Sequence, residues 1–175
     1  MRDQIRHEVA AIQPADALEA ATIRKTLTWI DSGAELCRRQ KPATPPKHLV
    51  AYSVLVDGDH LLLADHINAE LWLPTGGHVE SGEHPRNAAI RELEEELGIR
   101  PEPLQDGPLF LTSTRTVGRT AGHTDVSLWY VFRGNRSDEL TFDDSEFNGI
   151  RWFHRNHLPF PRTDPHMARF IEKLG

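Results

Sequence analysis

The strongest chemical signal in the chain is a run of carboxylates within residues 77–99. The glutamates of this segment are Glu80, Glu83, Glu92, Glu94, Glu95 and Glu96. Like charges three or four residues apart on a helix destabilise it by about 0.2–0.5 kcal/mol per pair, so such a cluster needs a cation. Clustered carboxylate oxygens suit Mg²⁺ or Mn²⁺, and Mg²⁺ takes its remaining ligands from water and substrate phosphates. The segment therefore predicts a divalent-metal site.

The second half of this segment carries the signals of a helix. Pro85 suits the first helical position, His84 precedes it, and Gly98 suits the left-handed residue that ends a helix. At about 100° per residue, polar and apolar side chains separate onto opposite sides. The polar side carries Arg91, Glu92, Glu95 and Glu96, and the other side carries Ile90, Leu93 and Leu97. We expect one ionic face and one packing face.

The spacing of these residues matches a known motif, G-x5-E-x7-R-E-U-x-E-E-x-G-U, in which U is a bulky apolar residue. The fixed positions are filled by Gly77, Glu83, Arg91, Glu92, Leu93, Glu95, Glu96, Gly98 and Ile99. The segment resembles the Nudix box, and the chain resembles MutT-like Nudix hydrolases. The alternative interpretation is an acidic surface helix after a turn, because charge runs are usually solvated.

The resemblance implies roles for the residues of the box. The family's metal ligands correspond to the backbone carbonyl of Gly77 and to the carboxylates of Glu92, Glu95 and Glu96. Either Glu92 or Glu95 is the general base, since members of the family differ on this point. Arg91 orients a neighbouring carboxylate through an ion pair, and Glu83 supports the loop and the helix.

By the same resemblance, the reaction is Mg²⁺-dependent hydrolysis of a phosphoanhydride in a nucleoside diphosphate linked to a moiety X, with Mn²⁺ as a substitute ion. A triphosphate, a nucleotide sugar, a dinucleoside polyphosphate and an oxidised nucleotide all remain open. So do a Nudix-fold isoprenoid diphosphate isomerase and a catalytically silent nucleotide-binding module. The isomerase needs further acid–base groups, including a cysteine, and Cys37 lies far from the box in sequence. The intact carboxylate cluster argues against a silent module.

Two regions outside the box are candidates for substrate contacts. The loop 115–125 contains two glycines and carries Arg115, Arg119, His123 and Asp125. Arginines beside a metal site are suited to clamp a phosphate or a base. An exposed loop with solvated charges is the equal alternative. In the acidic stretch 134–148, Glu146 or Asp144 is a candidate for the further acidic residue that many Nudix enzymes recruit.

The elements that must position these residues are predicted to form an α/β Nudix fold, a mixed β-sheet between helices. The hairpin turn Asp57-Gly58-Asp59 separates two apolar runs typical of strands. The predicted strands are 48–56, 60–65, 71–73, 109–114, 126–132 and 150–153, and a final helix is predicted over 166–174. Pro74, Gly76 and Gly77 are predicted to turn the chain into the box.

Residues 1–47 are predicted to be an N-terminal helical extension with a Pro-rich connector, and residues 48–175 the Nudix hydrolase domain. Val9 and Ile12 share a helical stripe, Pro14 breaks it, Asp16 suits the start of a second helix and Gly33 its end. The extension either packs on the domain, covers the active site or pairs with a second subunit. Packing is the favoured interpretation, and a homodimer is a reasonable expectation.

Composition limits the remaining function classes. A net charge of −6 with a pI near 5.9 argues against general nucleic-acid binding or an anionic membrane surface, and favours a small nucleotide-type substrate. No apolar stretch approaches the length of a membrane span. One cysteine excludes an intrachain disulfide and indicates a cytoplasmic protein. The 10 histidines lack the short paired spacings of zinc sites, so most are predicted to be ordinary surface or packing residues.

Overall fold

A mixed β-sheet forms the centre of the protein in the computed structural model, which describes residues 1–40, 44–117, 119 and 122–175. The strands are β1 (Lys47–Asp57), β2 (His60–His66), β3 (Leu71–Leu73), β4 (Thr75–His78), β5 (Phe110–Arg115), β6 (Thr124–Arg133) and β7 (Phe147–His154). The helices are α1 (Arg2–Ala11), α2 (Ala17–Asp31), α3 (Pro85–Leu97) and α4 (Met167–Leu174). The predicted order of strands and helices is confirmed except for β4, which was not among the predicted strands.

The register of β1 decides which side chains meet at one end of the sheet. The strand order is β3-β2-β1-β6-β5, with β4 paired to β1 and β7 paired to β2. β1 runs parallel to β6, which places His48 opposite Asp125. β4 runs antiparallel to β1, which places His78 opposite Val50. Residues of β1, β4 and β6 that are distant in sequence therefore become neighbours.

Alternate side chains of β6 contribute to two apolar cores, one on each face of the sheet. One core contains Val126, Leu128, Tyr130 and Phe132 and packs against α1, α2 and α3. The opposite core contains Trp129 and Val131 and packs against Met167 and Phe170 of α4. Because successive strand residues point to opposite sides, one strand serves both cores. The predicted arrangement of a mixed sheet between helices is confirmed.

The N-terminal helices pack into the core beneath the sheet. Ile5, Val9 and Ile23 are buried in the same cluster as the strand residues Leu49 and Leu111. The side chain of Asp16 accepts a hydrogen bond from the Glu19 backbone N–H and caps α2, as predicted. Packing on the domain is therefore the arrangement found, while the domain boundary at residue 47 stays a prediction. Among the residues that the structure describes, no helix is long and apolar enough to cross a membrane.

The box begins in β4, contains α3 and ends two residues beyond that helix, at Ile99. His84 caps α3, Pro85 is its first residue, and Gly98 ends it at φ 67°, as the sequence predicts. Pro74, Gly76 and Gly77 are predicted to turn the chain into the box, but Thr75–His78 forms β4 and pairs with β1. Gly76 is required there, because a Cβ at this position would lie 2.1 Å from the carbonyl oxygen of Ala51. This close approach brings the start of the box against the sheet.

Candidate active site

Arg91 is the centre of the ionic network in the box. Its Nε and Nη2 donate to the two carboxylate oxygens of Glu83, at 3.0 and 3.1 Å. Its Nη1 donates to Glu92 Oε1 at 2.8 Å and to Glu95 Oε2 at 3.0 Å. Nη2 also donates to the carbonyl of His78 at 3.2 Å. The guanidinium of Arg91 thus connects the end of β4, the loop before α3 and two carboxylates of α3. Its hydrogen bonds with Glu83 raise the pKa of Arg91.

Glu92 lies directly against Gly77. A Cβ on Gly77 would lie 2.2 Å from Glu92 Oε1, so any larger residue there requires the Glu92 carboxylate to leave this position. Burial raises the pKa of Glu92, and the neighbouring Arg91 opposes that shift. The carboxylate is therefore held close to the Gly77 backbone in a partly desolvated position, where a cation favours its charged form.

Glu96 is the most buried carboxylate of the box, with 5% of the residue exposed. Its Oε2 accepts a hydrogen bond from the Gly76 backbone N–H at 3.0 Å. Burial, followed by the nearby charge of Glu92, raises the pKa of Glu96 to about 9. Without a cation, this side chain is protonated at neutral pH.

The other predicted acidic residues are more exposed. The Glu95 side chain is 60% exposed and is joined to the box through Arg91. Glu146 is exposed, and its charge contributes to the raised pKa values of Glu92 and Glu96, which places it near both. Its backbone carbonyl accepts from the Ile67 N–H at 2.9 Å, which fixes the loop before β7. Asp144 is exposed as well, and the choice between these two acidic candidates stays a prediction.

The donor set of the box fits a hard divalent cation. Arg91 hydrogen-bonds one oxygen of Glu92 and one of Glu95, so each carboxylate keeps an oxygen that Arg91 does not bind. Burial of Glu92 and Glu96 raises the pKa of both carboxyl groups and so disfavours their charged forms, which a bound cation would stabilise. Oxygen-only ligands of this kind are those that Mg²⁺ and Mn²⁺ prefer.

A cavity of about 460 Å³ opens beside the box. Its volume is in the range of small-molecule sites. Two of the predicted substrate-contact residues, Arg115 and Glu146, line it, whereas Arg119 does not. The Arg119 backbone N–H donates to the carbonyl of Asn68, which does line it. Further lining residues include Arg38, Val50, Tyr52, Leu71, Leu73, Gly76, His78, His123, Asp125 and Asp164. Burial raises the pKa of Asp164 to about 6.

Sequence reasoning missed a polar cluster of which three members line this cavity, while the fourth, His48, is buried beside them. His48, His78, His123 and Asp125 each offer a ligand atom, and these atoms lie within 4.8 Å of one another. Burial and then the charge of Arg38 lower the pKa of His78 to about 3. Part of this cluster could have been found from the sequence. His123 and Asp125 are two residues apart, and in an extended chain this spacing places both side chains on the same side. The pairing of β1 with β6 that brings His48 to them has no local signature.

Comparisons with known proteins agree with the box and the fold. A family model described as NUDIX domain matches residues 46–174. An RNA pyrophosphohydrolase from Roseobacter denitrificans is 33% identical over 112 residues, which cover 54% of this chain and 70% of that protein. Nudix hydrolase 25 from Arabidopsis thaliana is 32% identical over 117 residues, covering 56% and 67%.

Solved structures show the same architecture. The E. coli dihydroneopterin triphosphate pyrophosphohydrolase matches with a TM-score of 0.59 and 16% identity, covering 80% of this chain and 97% of that one. A MutT NUDIX hydrolase from Burkholderia pseudomallei matches with a TM-score of 0.58 and 22% identity, covering 74% and 98%. At these identities, the structural likeness establishes the fold.

Proposed function

Because the chain belongs to the NUDIX domain family and is a Nudix pyrophosphohydrolase, we propose that its substrate is a nucleoside diphosphate linked to a moiety X. The bond hydrolysed is a phosphoanhydride, and the cofactor is Mg²⁺, with Mn²⁺ as a substitute. The substrate is a small nucleotide derivative, since a net charge of −6 opposes general binding of nucleic acid.

The observation that carries this proposal is the network around Arg91. This one side chain hydrogen-bonds Glu83, Glu92 and Glu95, while Gly77 leaves room for Glu92 at the start of the box. Catalysis of phosphoryl transfer depends on positioning and on stabilising charge. A network that fixes several carboxylates beside a cavity supports that chemistry.

Each residue of the box has a proposed role. The Gly77 carbonyl and the carboxylates of Glu92, Glu95 and Glu96 hold Mg²⁺, which neutralises charge on the phosphate oxygens when it is bound. Either Glu92 or Glu95 accepts a proton from the attacking water. Arg91 positions these two carboxylates, and Glu83 positions Arg91. Arg91 is therefore a positioning residue that acts through its neighbours.

The cavity is the proposed site for the rest of the substrate. Val50, Leu71 and Leu73 give it apolar walls, and polar groups lie among them, as in most small-molecule sites. Arg115 lines the cavity and is proposed to bind phosphate oxygens. Arg119 is proposed to assist from the neighbouring loop, and Glu146 to contact the substrate or its metal.

A substrate panel tests the proposal. Purified protein with Mg²⁺, and separately with Mn²⁺, is incubated with nucleoside triphosphates, ADP-ribose, nucleotide sugars, dinucleoside polyphosphates and coenzyme A. A 5′-triphosphorylated RNA belongs in the panel because a relative is named RNA pyrophosphohydrolase. Products are separated by chromatography. Release of a nucleoside monophosphate from a small nucleotide substrate, or of pyrophosphate or phosphate from the RNA, is the expected result. Rearrangement without release of phosphate or nucleotide indicates an isomerase, and binding without turnover indicates a silent module.

Matched variants of α3 connect turnover to the box. Glu95→Gln and Glu96→Gln are expected to lower kcat by at least about 100-fold, the scale of one lost charge-stabilising contact. Glu94→Gln is the control, because Glu94 is exposed on the same helix and pairs with Arg100 at 3.3 Å. Circular dichroism checks the fold of each variant. Near wild-type rates in both test variants would overturn the assignment.

We also propose that the protein is cytoplasmic and that it forms a homodimer. The first rests on the single cysteine, which is buried and free. Light scattering of the purified protein measures its molecular mass directly. A mass of one chain, 19.8 kDa, would exclude the homodimer under those conditions.

A further inference from the structure

The imidazoles of three histidines and the carboxylate of an aspartate converge beside the cavity, and the box motif specifies none of these residues. His48 is fully buried, and His123 is 4% exposed. His48 Nε2 and His123 Nε2 each lie 3.3 Å from Asp125 Oδ1. His78 stacks obliquely on His48, with 4.7 Å between the ring centroids. The four residues come from β1, β4, β6 and the segment before β6, so the cluster joins separate parts of the sheet.

The hydrogen bond that His48 makes with Pro45 shows which of its ring nitrogens carries the hydrogen. Nδ1 lies 2.8 Å from the carbonyl oxygen of Pro45, which only accepts, so Nδ1 carries a hydrogen and donates it. In the neutral ring, Nε2 then presents a lone pair. It faces Asp125 Oδ1, which is also an acceptor, at 3.3 Å. Two acceptors at this distance repel each other unless a proton or a metal ion lies between them.

Atoms of this cluster lack hydrogen-bond partners within the part of the chain that the structure describes. They are His48 Nε2, His78 Nε2 and Asp125 Oδ1, all buried. Buried polar side-chain atoms are bonded in the large majority of cases, so several unsatisfied atoms at one point need an explanation. A shared ligand satisfies all of them at once.

The distances fit a tetrahedral metal ion. Zinc binds imidazole nitrogen and carboxylate oxygen at about 2.0–2.1 Å, which makes the edge of the coordination tetrahedron about 3.3–3.4 Å. Both nitrogen-to-oxygen distances to Asp125 equal 3.3 Å. The widest separation of ligand atoms, up to 4.8 Å, requires a modest inward movement of side chains. Three imidazoles and one carboxylate are a donor set that favours Zn²⁺ over Mg²⁺.

We propose that His48, His78, His123 and Asp125 form a structural zinc site, distinct from the Mg²⁺ site of the box. Four protein ligands complete a tetrahedral shell, and four-coordinate tetrahedral geometry is typical of structural zinc sites. The ion would hold together the neighbouring ends of β1, β4 and β6 and so stabilise one wall of the cavity. This inference does not depend on the identity of the hydrolysed substrate.

The positively charged side chain of Arg38 is expected to compete with zinc for Asp125. It lines the same cavity and interacts electrostatically with Asp125 and Glu92. Its positive charge opposes a metal ion bound to Asp125. Replacing Arg38 by alanine is therefore expected to tighten zinc binding, whereas a cluster that holds only a proton has no reason to gain affinity for zinc.

Metal analysis tests the proposal independently of activity. The full chain is purified without an affinity metal, dialysed against excess Mg²⁺ and analysed by mass spectrometry for bound metals, with about one zinc per chain expected. Cobalt substitution is expected to give the intense visible absorption of a tetrahedral N/O site. Zinc added to chelator-treated protein is expected to raise Tm.

Two sets of variants locate the ion. Asp125→Asn, which keeps the shape of the side chain, is expected to weaken zinc binding at least about 10-fold. The double variant Glu95→Gln with Glu96→Gln is expected to retain zinc, and His157→Ala is the control for an exposed histidine. Protein without zinc, without a cobalt spectrum and without a Tm response would overturn the proposal. So would zinc that Asp125→Asn retains and the double glutamate variant loses.

Discussion

Glu96 Oε2 accepts the Gly76 backbone N–H at 3.0 Å, in a position where 5% of the residue is exposed. The bond ties the last acidic residue of the box to β4, which carries Gly77. It also stabilises the charged form of Glu96, but burial and the charge of Glu92 outweigh it. The resulting pKa of about 9 makes metal binding a proton-releasing step.

Binding of Mg²⁺ at neutral pH is expected to release a proton from Glu96. The folded pKa is raised from 4.5 to about 9, so the metal-free carboxyl is protonated and must ionise to bind the cation. Apparent Mg²⁺ affinity therefore rises with pH towards about 9, while Glu96 makes the metal-free fold less stable as pH rises above 4.5. Calorimetry in two buffers of different ionisation enthalpy measures the proton release.

Glu96→Gln is the control for this measurement, since it cannot release a proton on binding. Equal heats in both buffers for the wild-type protein would show that Glu96 is already ionised and would contradict the expectation.

Gly77→Ala is expected to abolish most activity while preserving the fold. The new Cβ would lie 2.2 Å from Glu92 Oε1, so the carboxylate must move away from the box. Misplacement of a catalytic group by about 1 Å lowers rates by about 100-fold. Steady-state kinetics measures the loss. Gly149→Ala is the control, because a Cβ there meets nothing within 4 Å, and equal rates for the two variants would contradict the steric argument.

Arg91→Lys is expected to lower kcat despite the retained positive charge. Lysine cannot reproduce the two parallel bonds that Arg91 makes with Glu83 at 3.0 and 3.1 Å while also binding Glu92 and Glu95. The expected loss is about 10–100-fold, the range found when a residue that orients metal ligands is removed. A positioning role also predicts weaker Mg²⁺ binding, which titration measures.

Arg100→Lys is the comparison variant, because Arg100 makes a single exposed ion pair with Glu94 at 3.3 Å. If Arg91→Lys matches it in both kcat and Mg²⁺ affinity, the guanidinium network has no catalytic role.

Lys173→Met is expected to destabilise the protein by about 3 kcal/mol, at the lower end of the range for breaking a buried ion pair. Lys173 Nζ lies 2.7 Å from Glu19 Oε1, and the two side chains are 10% and 0% exposed. Removal of the lysine leaves a buried carboxylate, although Ala15 and Leu111 still donate to it from the backbone. Urea denaturation measures the change.

Glu19→Gln with Lys173→Met completes a double-mutant cycle that isolates the pair. Lys25→Met is the control for loss of an exposed lysine. A change no larger than that of Lys25→Met would mean that the ion pair contributes little to stability.

Local signals in the sequence predicted most of the fold. Proline, glycine and aspartate mark the ends of α2 and α3, and alternation of apolar residues marks β6. Within the box, fixed spacing on a helix places Arg91 beside the glutamates without reference to the rest of the chain. These features depend on residues that are neighbours in sequence, which is why they were predictable.

Features that depend on distant pairing could not be predicted in the same way. The histidine cluster exists because β1 pairs in parallel with β6, with His48 opposite Asp125. Nothing in the residues around His48 specifies that partner. The cavity is another case, because Arg115 lines it and Arg119 does not, although both belong to the same predicted loop.

The docking of the N-terminal helices sets an order of events during synthesis. α1 and α2 are made well before Leu111, whose backbone N–H donates to Glu19, and before Lys173, which pairs with Glu19. Until then, the apolar side chains of Ile5, Val9 and Ile23 have no sheet to cover them. Since chains grow at about 5–20 residues per second, this surface stays exposed for seconds on the ribosome. The face of α1 and α2 that packs on the sheet is therefore exposed to aggregation until the later strands and α4 have been made.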